Sequence, residues 1–280
     1  MSQMSSRDLV VDDEGRFEVV ISDTREGANW LCIADGERSA STILIRESFM
    51  DWEQETGGTW TLERCDTRGT PSPLARPDLV NDQYARASQH LVTSTAGWVG
   101  FVSKLLLELA PNEFSDPTES DGGGLTGQFN AKALLPAHPD TATIITVPRS
   151  RARYQSLQLG DLWFSSLDYT RRQTSLTAVQ ARPSDGDGKL RMVVSRRDPG
   201  VANWLDPAGA STVFAFLRWQ GLPEGPAGAS KPERPCVQVV PFDTLRDHLP
   251  PDEPEFGPEA RVAQLAARQA AALRSPRGFA

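Results

Sequence analysis

The feature of this 280-residue chain that most limits its fold is a series of short strand-like segments beginning at residue 128. They are rich in Val, Ile, Thr and aromatic residues, and Gly, Pro and Asp separate them, as is typical of strands joined by short turns. Such a series predicts a mainly β, α+β protein with antiparallel β-sandwich or jelly-roll-like lobes. The segments are QFNAKALL, TATIITVP, RYQSLQLGDLWF, RRQTSLTAVQAR, LRMVVSRRD, STVFAFLRWQ and VQVVPF.

Three further strands are predicted near the start of the chain, at Arg16–Asp23, Ser41–Phe49 and Thr59–Asp66. Three strands cannot bury a hydrophobic face alone, so this first lobe is expected to pack on the rest of the chain. The predicted organisation is a β lobe over 1–70, a linker and helical connector over 71–112, the main sandwich over 113–248 and a helical tail over 249–280.

A helical period replaces the strand pattern after a proline-rich linker and predicts a helix over about residues 78–112. Asp78 is its expected N-cap and Pro111 is expected to end it. Gly97 and Gly100 either permit close packing or divide the segment into two helices. The predicted apolar face contains Leu91, Thr95, Trp98, Val99, Val102, Leu105, Leu106 and Leu109.

A second helix is predicted at the end of the chain, opening near Pro258, since proline is well tolerated in the first helical turn. Its predicted buried side carries Val262, Leu265, Gln269, Ala272 and Leu273.

The tetrapeptide Ala-Asn-Trp-Leu occurs twice, in GANWLCIADG and in VANWLDPAGA. Asparagine readily bonds nearby backbone, and a tryptophan that seals the end of a sandwich needs a carbonyl for its indole N–H. We therefore favour a repeated strand–turn–strand scaffold over a pair of aromatic ligand sites. Aligning the copies matches Asn29 with Asn203, Trp30 with Trp204, Leu31 with Leu205, and Val19–Val20 with Val193–Val194.

The densest polar and aromatic segment is RYQSLQLGDLWFSSLDYTRRQTSLTAVQA, and it supplies most candidate site residues. On a strand, Tyr154, Ser156, Gln158 and Gly160 share one face. If that face lines a cavity, the candidate ligand-binding residues are Gln158, Trp163, Arg171, Asn203 and Trp204, and the candidate catalytic residues are Asp168, Tyr169 and Tyr154.

Asp168 has two interpretations. It forms an acid–base pair with Tyr169, or it caps a turn and pairs with Arg171 or Arg172. The second interpretation is the more common one for an aspartate followed by arginines.

Charge and motif content exclude several classes of function. The net charge of −8 and pI near 5.0 argue against nucleic acid and anionic membranes as partners. Three widely spaced cysteines and three scattered histidines give neither a disulfide framework nor a metal site. Nucleotide-binding motifs are missing, so no cofactor is expected. No signal peptide is evident and the most apolar run, Trp98–Ala110, is short for a membrane span, so we predict a cytoplasmic protein.

Three blocks of the chain, YQSLQLGDLWFSSLDYTRRQTSL, DGDGKLRMVVSRRDPGVANWLDPAG and PFDTLRDHLPPDEP, resemble the bacterial domain-of-unknown-function family 1214 (DUF 1214), in particular its longer two-lobed members. The resemblance implies β-sandwich, jelly-roll-like domains with helical connections, and it brings no established activity or catalytic residues. The chain departs from the family at Tyr154–Gln155, where an aromatic pair is frequent, and at Asp161 and Thr177, where asparagine is frequent.

Three functions are compatible with these observations. The first is binding of a small, partly apolar molecule, with or without lyase or isomerase chemistry at Tyr154, Asp168, Tyr169 and Arg171, and without metal or nucleotide. The second is a non-enzymatic scaffold or assembly module that forms homo-oligomers. The third is carbohydrate binding through the seven tryptophans. A closed pocket holding Tyr154, Trp163 and Asp168 favours the first, whereas burial of those side chains in dry core together with a large exposed apolar patch elsewhere favours the second.

Overall fold

A computed structural model describes residues 2–35, 38–39, 42–71, 76–119, 127–183, 186–225, 228–229 and 231–274. The chain divides into two compact units, Met1–Ser48 and Phe49–Ala280. The finer boundaries predicted from the sequence stay a prediction.

The described residues of the first unit form four short strands. They are β1 (Val20–Ser22), β2 (Trp30–Cys32), β3 (Ala34–Asp35) and β4 (Arg38–Ser39). Strand β1 pairs with β2 in parallel, and β3 pairs with β4 in the antiparallel direction. Within the predicted strand at 16–23, only Val20–Ser22 form a strand.

The strands predicted at 41–49 and 59–66 are wrong where the structure describes them. Residues 42–49 and 59–64 form no strand, and Cys65–Thr67 form a short 3-10 helix. Residue 41 lies outside the described residues. Ile43, Leu44 and Leu62 are exposed. β-propensity reflects the packing that a side chain gains on a half-buried pleated surface. Residues 42–49 and 59–64 have no neighbouring strand to supply that packing, so they form no strand.

The second unit is a β-sandwich joined to two α-helices. One sheet has four strands in the order β11-β10-β7-β15 and the other has five in the order β5-β6-β12-β8-β9. The elements are α1 (Pro77–Glu108), β5 (Thr118–Glu119), β6 (Gln128–Pro136), β7 (Thr141–Pro148), β8 (Tyr154–Gly160), β9 (Ser175–Thr177), β10 (Lys189–Val194), β11 (Trp204–Leu205), β12 (Thr212–Gln220), β13 (Glu224–Gly225), β14 (Gly228–Ala229), β15 (Cys236–Pro241), a 3-10 helix (Phe242–His248) and α2 (Pro258–Arg274).

The core lies between the two sheets. Leu157 and Leu217 of the five-stranded sheet and Ile145 and Met192 of the four-stranded sheet belong to one buried cluster. The 3-10 helix Phe242–His248 adds to a second cluster on the other side of the four-stranded sheet. All seven strands predicted after residue 128 are present, and the prediction of a mainly β, α+β fold with a helical connector and a C-terminal helix is confirmed.

Helix α1 is one continuous helix, so Gly97 and Gly100 do not divide it. It begins at Pro77 with Arg76 as its N-cap residue, which places Asp78 inside the first turn and makes the predicted Asp78 cap wrong. It ends at Glu108, shortly before Pro111, as expected for a chain that approaches a proline.

Helix α2 begins at Pro258, as predicted, but it buries a different face. Val262 and Leu273 of the predicted face are largely exposed, whereas Arg261 and Arg268 are buried. The guanidinium of Arg261 lies over the ring of Trp204 at 4.9 Å. Arginine stacks on aromatic rings and also donates hydrogen bonds, and these contacts replace the apolar packing that the sequence pattern suggested.

Candidate functional site

The predicted polar face of β8 exists. Leu157 and Leu159 point into the core, so the alternating side chains of Tyr154, Ser156 and Gln158 lie on the outer face of the five-stranded sheet. The register places them beside Gln220, Arg218 and Phe216 of β12, and these residues lie beside Gln128, Asn130 and Lys132 of β6.

The amides on this outer face bond to protein partners. The Nε2 of Gln220 donates to Oε1 of Gln128 at 2.7 Å, and the Nε2 of Gln158 donates to Oγ of Ser166 at the same distance. The guanidinium of Arg218 lies 4.8 Å from the ring centre of Phe216. The face is therefore a hydrogen-bonded polar layer, in which Ser156, Gln128 and Asn130 are buried.

Asp168 caps a turn. Its Oδ1 accepts a hydrogen bond from the hydroxyl of Thr170 at 2.7 Å and one from the backbone N–H of Arg171 at 3.2 Å. The Arg171 guanidinium lies 3.7 Å from Oδ2. The Thr170 bond, with the Arg171 contacts, lowers the pKa of Asp168 below its ordinary value. A carboxylate stabilised in this way is a weak base, which favours the turn interpretation over an acid–base pair with Tyr169.

We expect Asp168→Asn to change the free energy of unfolding by at most about 0.5 kcal/mol at neutral pH, because the group is largely exposed. Because the folded-state pKa is lowered, the contribution of Asp168 is present above the unfolded pKa of roughly 4 and is lost as pH falls through the folded value. Urea titrations of the wild type and of Asp168→Asn, at neutral pH and at about pH 2, measure this contribution to the free energy of unfolding. A loss well above 1 kcal/mol at neutral pH would contradict a role confined to the turn.

The other predicted residues of this segment lie in separate environments. Trp163 is 60% exposed, in the loop after β8. Tyr169 packs edge-on against the ring of Trp52, with ring centres 5.9 Å apart. The Arg171 side chain is mostly exposed. The structure therefore does not gather Trp163, Asp168 and Tyr169 around one reaction centre.

Arg268 is a buried residue that the sequence reasoning missed. Its Nε donates to the carbonyl oxygen of Tyr169 at 2.6 Å, and its two terminal nitrogens donate to the carbonyl (3.1 Å) and hydroxyl (2.6 Å) of Ser175. The guanidinium also lies 4.3 Å from the ring centre of Trp52. Burial lowers the pKa of Arg268 to about 10, so it stays charged at neutral pH. This arginine holds α2, the 168–175 segment and Trp52 together.

The second copy of the repeat is a buried hydrogen-bonding unit. Oδ1 of Asn203 accepts from the backbone N–H of Arg182 at 2.8 Å, and its Nδ2 donates to the carbonyls of Arg182 (2.6 Å) and Arg191 (2.9 Å). Asn203 is 1% exposed. The indole N–H of Trp204 donates to the carbonyl of Ser195 at 2.9 Å.

The first copy has the same arrangement. Oδ1 of Asn29 accepts from the N–H of Val10 at 2.7 Å, and its Nδ2 donates to the carbonyls of Val10 (2.8 Å) and Glu18 (3.1 Å). The indole N–H of Trp30 donates to the hydroxyl of Ser22 at 2.8 Å. The side-chain oxygen and nitrogen of both asparagines are hydrogen-bonded to backbone groups. The geometry therefore favours a scaffold role over a ligand site.

The strand register corrects the sequence alignment of the repeat. Val20 lies opposite Trp30 in the first copy, and Val193 lies opposite Trp204 in the second, each in a parallel pair. Val20 therefore corresponds to Val193 and not to Val194. The alignment was wrong by one residue because the connection between the two strands is one residue longer in the second copy.

The largest unexplained feature of the second unit is the surface of α1. Every residue from 81 to 93 is exposed, including Tyr84 at 71% and Leu91 at 67%. One row of residues recurs at alternating steps of four and three, the spacing of a coiled-coil seam. We call this row the α1 stripe, and it consists of Val80, Tyr84, Ala87, Leu91, Ser94, Trp98, Phe101 and Leu105.

The C-terminal end of the α1 stripe contacts its own sandwich. The ring of Trp98 stacks on Phe164 with 6.4 Å between centres, and Phe101 meets Phe164 edge-on at 5.8 Å. Phe164 in turn contacts Phe214 on β12. Trp98 nevertheless stays 50% exposed. A small apolar cleft of about 10 Å³, roughly the space of one water molecule, lies beside these rings and is lined by Val102, Leu105, Leu106, Leu134, Leu162, Phe164 and Phe214.

The four-three spacing of the α1 stripe was readable in the sequence. The sequence predicted an apolar face of this helix from Leu91 to Leu109 and did not predict what covers it. The structure leaves Leu91, Trp98, Val99 and Leu106 substantially exposed. Periodicity reports that a face is apolar, and it does not report what covers that face.

The described residues contain neither a candidate metal site nor a candidate membrane-spanning helix. No group of three or more His, Cys, Asp or Glu side chains there is placed to hold a metal ion. Across the same ranges, no helix has both the length and the apolar character that crossing a membrane requires.

Comparison with solved structures gives an extensive likeness. The crystal structure of an uncharacterized protein from Burkholderia cenocepacia matches with a TM-score of 0.73 and 26% identity, covering 87% of this chain and 65% of that one. The VPA0106 protein from Vibrio parahaemolyticus matches with a TM-score of 0.31 and 15% identity, over 46% of this chain and 31% of that one. No protein-family model and no curated protein matches the chain.

Proposed function

We propose that this protein is a non-enzymatic assembly module that pairs with a second copy of itself through the exposed N-terminal half of the α1 stripe. The observation that carries the proposal is the exposed stretch of α1 over residues 81–93, with Tyr84 and Leu91 on its surface.

Helix energetics support a partner for this stretch. Isolated helices shorter than about 12–15 residues are marginal in water, and most helices in proteins are stabilised by packing of their apolar face. Residues 81–93 extend beyond the part of the 32-residue helix α1 that packs on the sandwich, and their large apolar side chains face solvent. A second helix that covers Tyr84 and Leu91 supplies the missing packing.

The available apolar surface is close to that of a standard interface. Tyr84, Trp98, Phe101 and Trp163 are each at least 40% exposed. Since a buried aromatic side chain covers about 150–250 Å², these four offer on the order of 500 Å². A stable interface needs about 800 Å² per partner, and the exposed aliphatic residues of α1 supply much of the remainder.

The small-molecule hypothesis has less support. It required Tyr154, Trp163 and Asp168 to line one closed pocket. Two concavities in the described part of the second unit are lined by other residues, and their volumes are about 10 Å³ and about 0 Å³. Both are far smaller than the roughly 300–1,000 Å³ of ordinary ligand pockets.

Sedimentation equilibrium tests the assembly proposal. We expect wild-type protein to reach twice the 30.6 kDa mass of one chain. Leu91→Glu and Tyr84→Glu each place a charge in the paired surface and should raise the dissociation constant roughly 100-fold. Gln89→Glu makes the same charge change on the opposite side of α1 and should leave the constant unchanged. Circular dichroism confirms that each variant is folded.

A wild-type protein that stays monomeric throughout the concentration range would contradict the proposal. Equal weakening by Gln89→Glu and Leu91→Glu would also contradict it, because the effect would then follow charge and not the stripe.

Two finer assignments accompany this proposal. We propose membership of the DUF 1214 family on the three sequence blocks that resemble it. We also propose a cytoplasmic location, which the free thiols of Cys32, Cys65 and Cys236 support, since thiols persist in a reducing compartment.

A further inference from the structure

We propose that the outer edge of strand β1 binds an extended strand of a separate polypeptide chain. The partner strand runs antiparallel to β1, carries apolar residues at alternate positions and has basic residues beside them. The site lies on the first unit, so it is independent of the pairing through α1. The inference comes from comparing the two copies of the Asn-Trp-Leu repeat, because the second copy shows what occupies the corresponding edge.

In the second copy of the repeat, both edges of the first strand, β10, are occupied. The backbone N–H of Val193 donates to the carbonyl of the repeat asparagine at 2.9 Å, so Val193 bonds towards β11. Successive residues of a strand direct their backbone groups to opposite sides, so Met192 and Val194 bond towards β7. There they lie opposite Ile145 and Thr143 in an antiparallel pair.

In the first copy, only one edge of the corresponding strand, β1, is occupied. The N–H of Val20 donates to the carbonyl of the repeat asparagine at 2.9 Å, and the carbonyl of Ser22 accepts from the N–H of Ile33 at 3.0 Å. Val19 and Ile21 therefore direct their backbone groups away from β2. In the described part of the chain, no backbone hydrogen bond reaches either residue. The outer edge of β1 thus offers two N–H and two C=O groups to an incoming strand.

Sheet energetics favour a further strand on β1. A two-stranded sheet is marginally stable in water, and independent stability needs three or more strands with a hydrophobic face. The second copy belongs to a sheet of four strands, whereas β1 and β2 form a sheet of two. The segment that follows the repeat forms β12 in the second copy, but residues 42–48 form no strand, and Ile43 and Leu44 are 47% and 65% exposed. An added strand supplies the main-chain bonds and apolar contacts that the first unit lacks.

Charge indicates the chemistry of the partner strand. Residues 1–48 contain ten Asp and Glu against five Arg and no Lys, so they contribute −5 of the net charge of −8. Glu18 and Asp23, on either side of β1, are exposed. The strand that occupies the corresponding edge in the second copy, β7, is followed by Arg149 and Arg151. Complementary charge therefore favours a partner with basic flanks, while main-chain bonds hold its alternating apolar residues against β1.

A synthetic peptide with the sequence of residues 139–151 tests the site, because it contains β7 and its basic end. We expect saturable binding of this peptide to the full-length protein, measured by nuclear magnetic resonance. Binding should slow hydrogen exchange at the amides of Val19 and Ile21, which the incoming strand covers. The Leu91→Glu variant should bind the peptide as tightly as wild type does, because the substitution lies on the second unit.

Two N-methylated peptides form a matched pair that leaves the protein unchanged. Methylation of the Ile145 nitrogen removes a donor directed at β1 and should weaken binding about tenfold or more. Methylation of the Ile144 nitrogen, which is directed away from β1, should change the dissociation constant by less than about twofold. In the second unit Ile144 lies opposite Gln238 of β15, so a peptide that replaced β7 in the existing sheet would be weakened by both methylations.

Three results would overturn the inference. The first is the lack of saturable binding up to about 1 mM peptide. The second is equal weakening by the two methylations. The third is protection of Val19 and Ile21 that rises with protein concentration in the absence of peptide, which would identify a second copy of this chain as the occupant. Protein that binds the peptide as described but stays monomeric would contradict the assembly proposal and support the β1 site.

Discussion

Asn203→Ala is expected to lower the free energy of unfolding of the second unit by about 4 kcal/mol. The substitution leaves the N–H and C=O of Arg182 and the C=O of Arg191 without the partners they have in the native protein. Each buried polar group that loses its partner costs about 1–3 kcal/mol. Water cannot readily replace the amide, because Asn203 is 1% exposed.

Urea unfolding followed by tryptophan fluorescence measures the effect. Asn203→Asp should be at least as damaging, because a carboxylate oxygen would face the two carbonyls that now accept from Nδ2. Gln89→Ala removes an exposed amide on α1 and should change stability by at most about 0.5 kcal/mol. If Asn203→Ala were within about 1 kcal/mol of wild type, the repeat would not be the structural unit described above.

Asn29→Ala provides a matched comparison. It removes the equivalent bonds to Val10 and Glu18 in the first unit. We expect the unfolding transition of the second unit to stay in place in this variant.

Arg268→Ala is expected to lower the free energy of unfolding by about 3 kcal/mol. The arginine donates to the carbonyl of Tyr169 and to the carbonyl and hydroxyl of Ser175, and its guanidinium covers the ring of Trp52. Alanine leaves these oxygens without a donor and removes the stem that fills the space between α2 and the loop.

Two controls separate the geometry of Arg268 from its charge. Arg268→Lys keeps the cation and loses the planar fork that reaches two residues, so it should recover only part of the stability. Arg171→Ala removes an exposed arginine and should be nearly neutral. Wild-type stability in Arg268→Ala would show that α2 is held by other contacts.

The sandwich was predictable from sequence because β-propensity and turn signals agree after residue 128. The same propensity failed over 42–49 and 59–64, since a strand also requires a neighbour and sequence alone does not supply one. The buried arginines of α2 were missed for a related reason. Apolar periodicity does not register a guanidinium that is buried by stacking and hydrogen bonding, as at Arg261 and Arg268.

The structure agrees less well with the predicted site than with the predicted fold. Tyr154 and Gln158 lie on a common sheet face as predicted, whereas Asp168 caps a turn. The doubled Asn-Trp-Leu is interpreted as scaffold because the bonding partners of its asparagines, eleven or more residues away in sequence, are visible only once the strands are paired. The α1 stripe was present in the sequence as a four-three pattern, and only the structure reveals that its N-terminal half is exposed.

Concentration-dependent hydrogen exchange over residues 81–93 tests the central claim most directly. An uncovered helix of this length opens readily, whereas a paired helix is protected. We predict that protection of these amides rises with protein concentration, in step with the change in mass, while protection of the sandwich strands stays constant. Protection over 81–93 that is the same in dilute monomer and in concentrated protein would contradict pairing through α1.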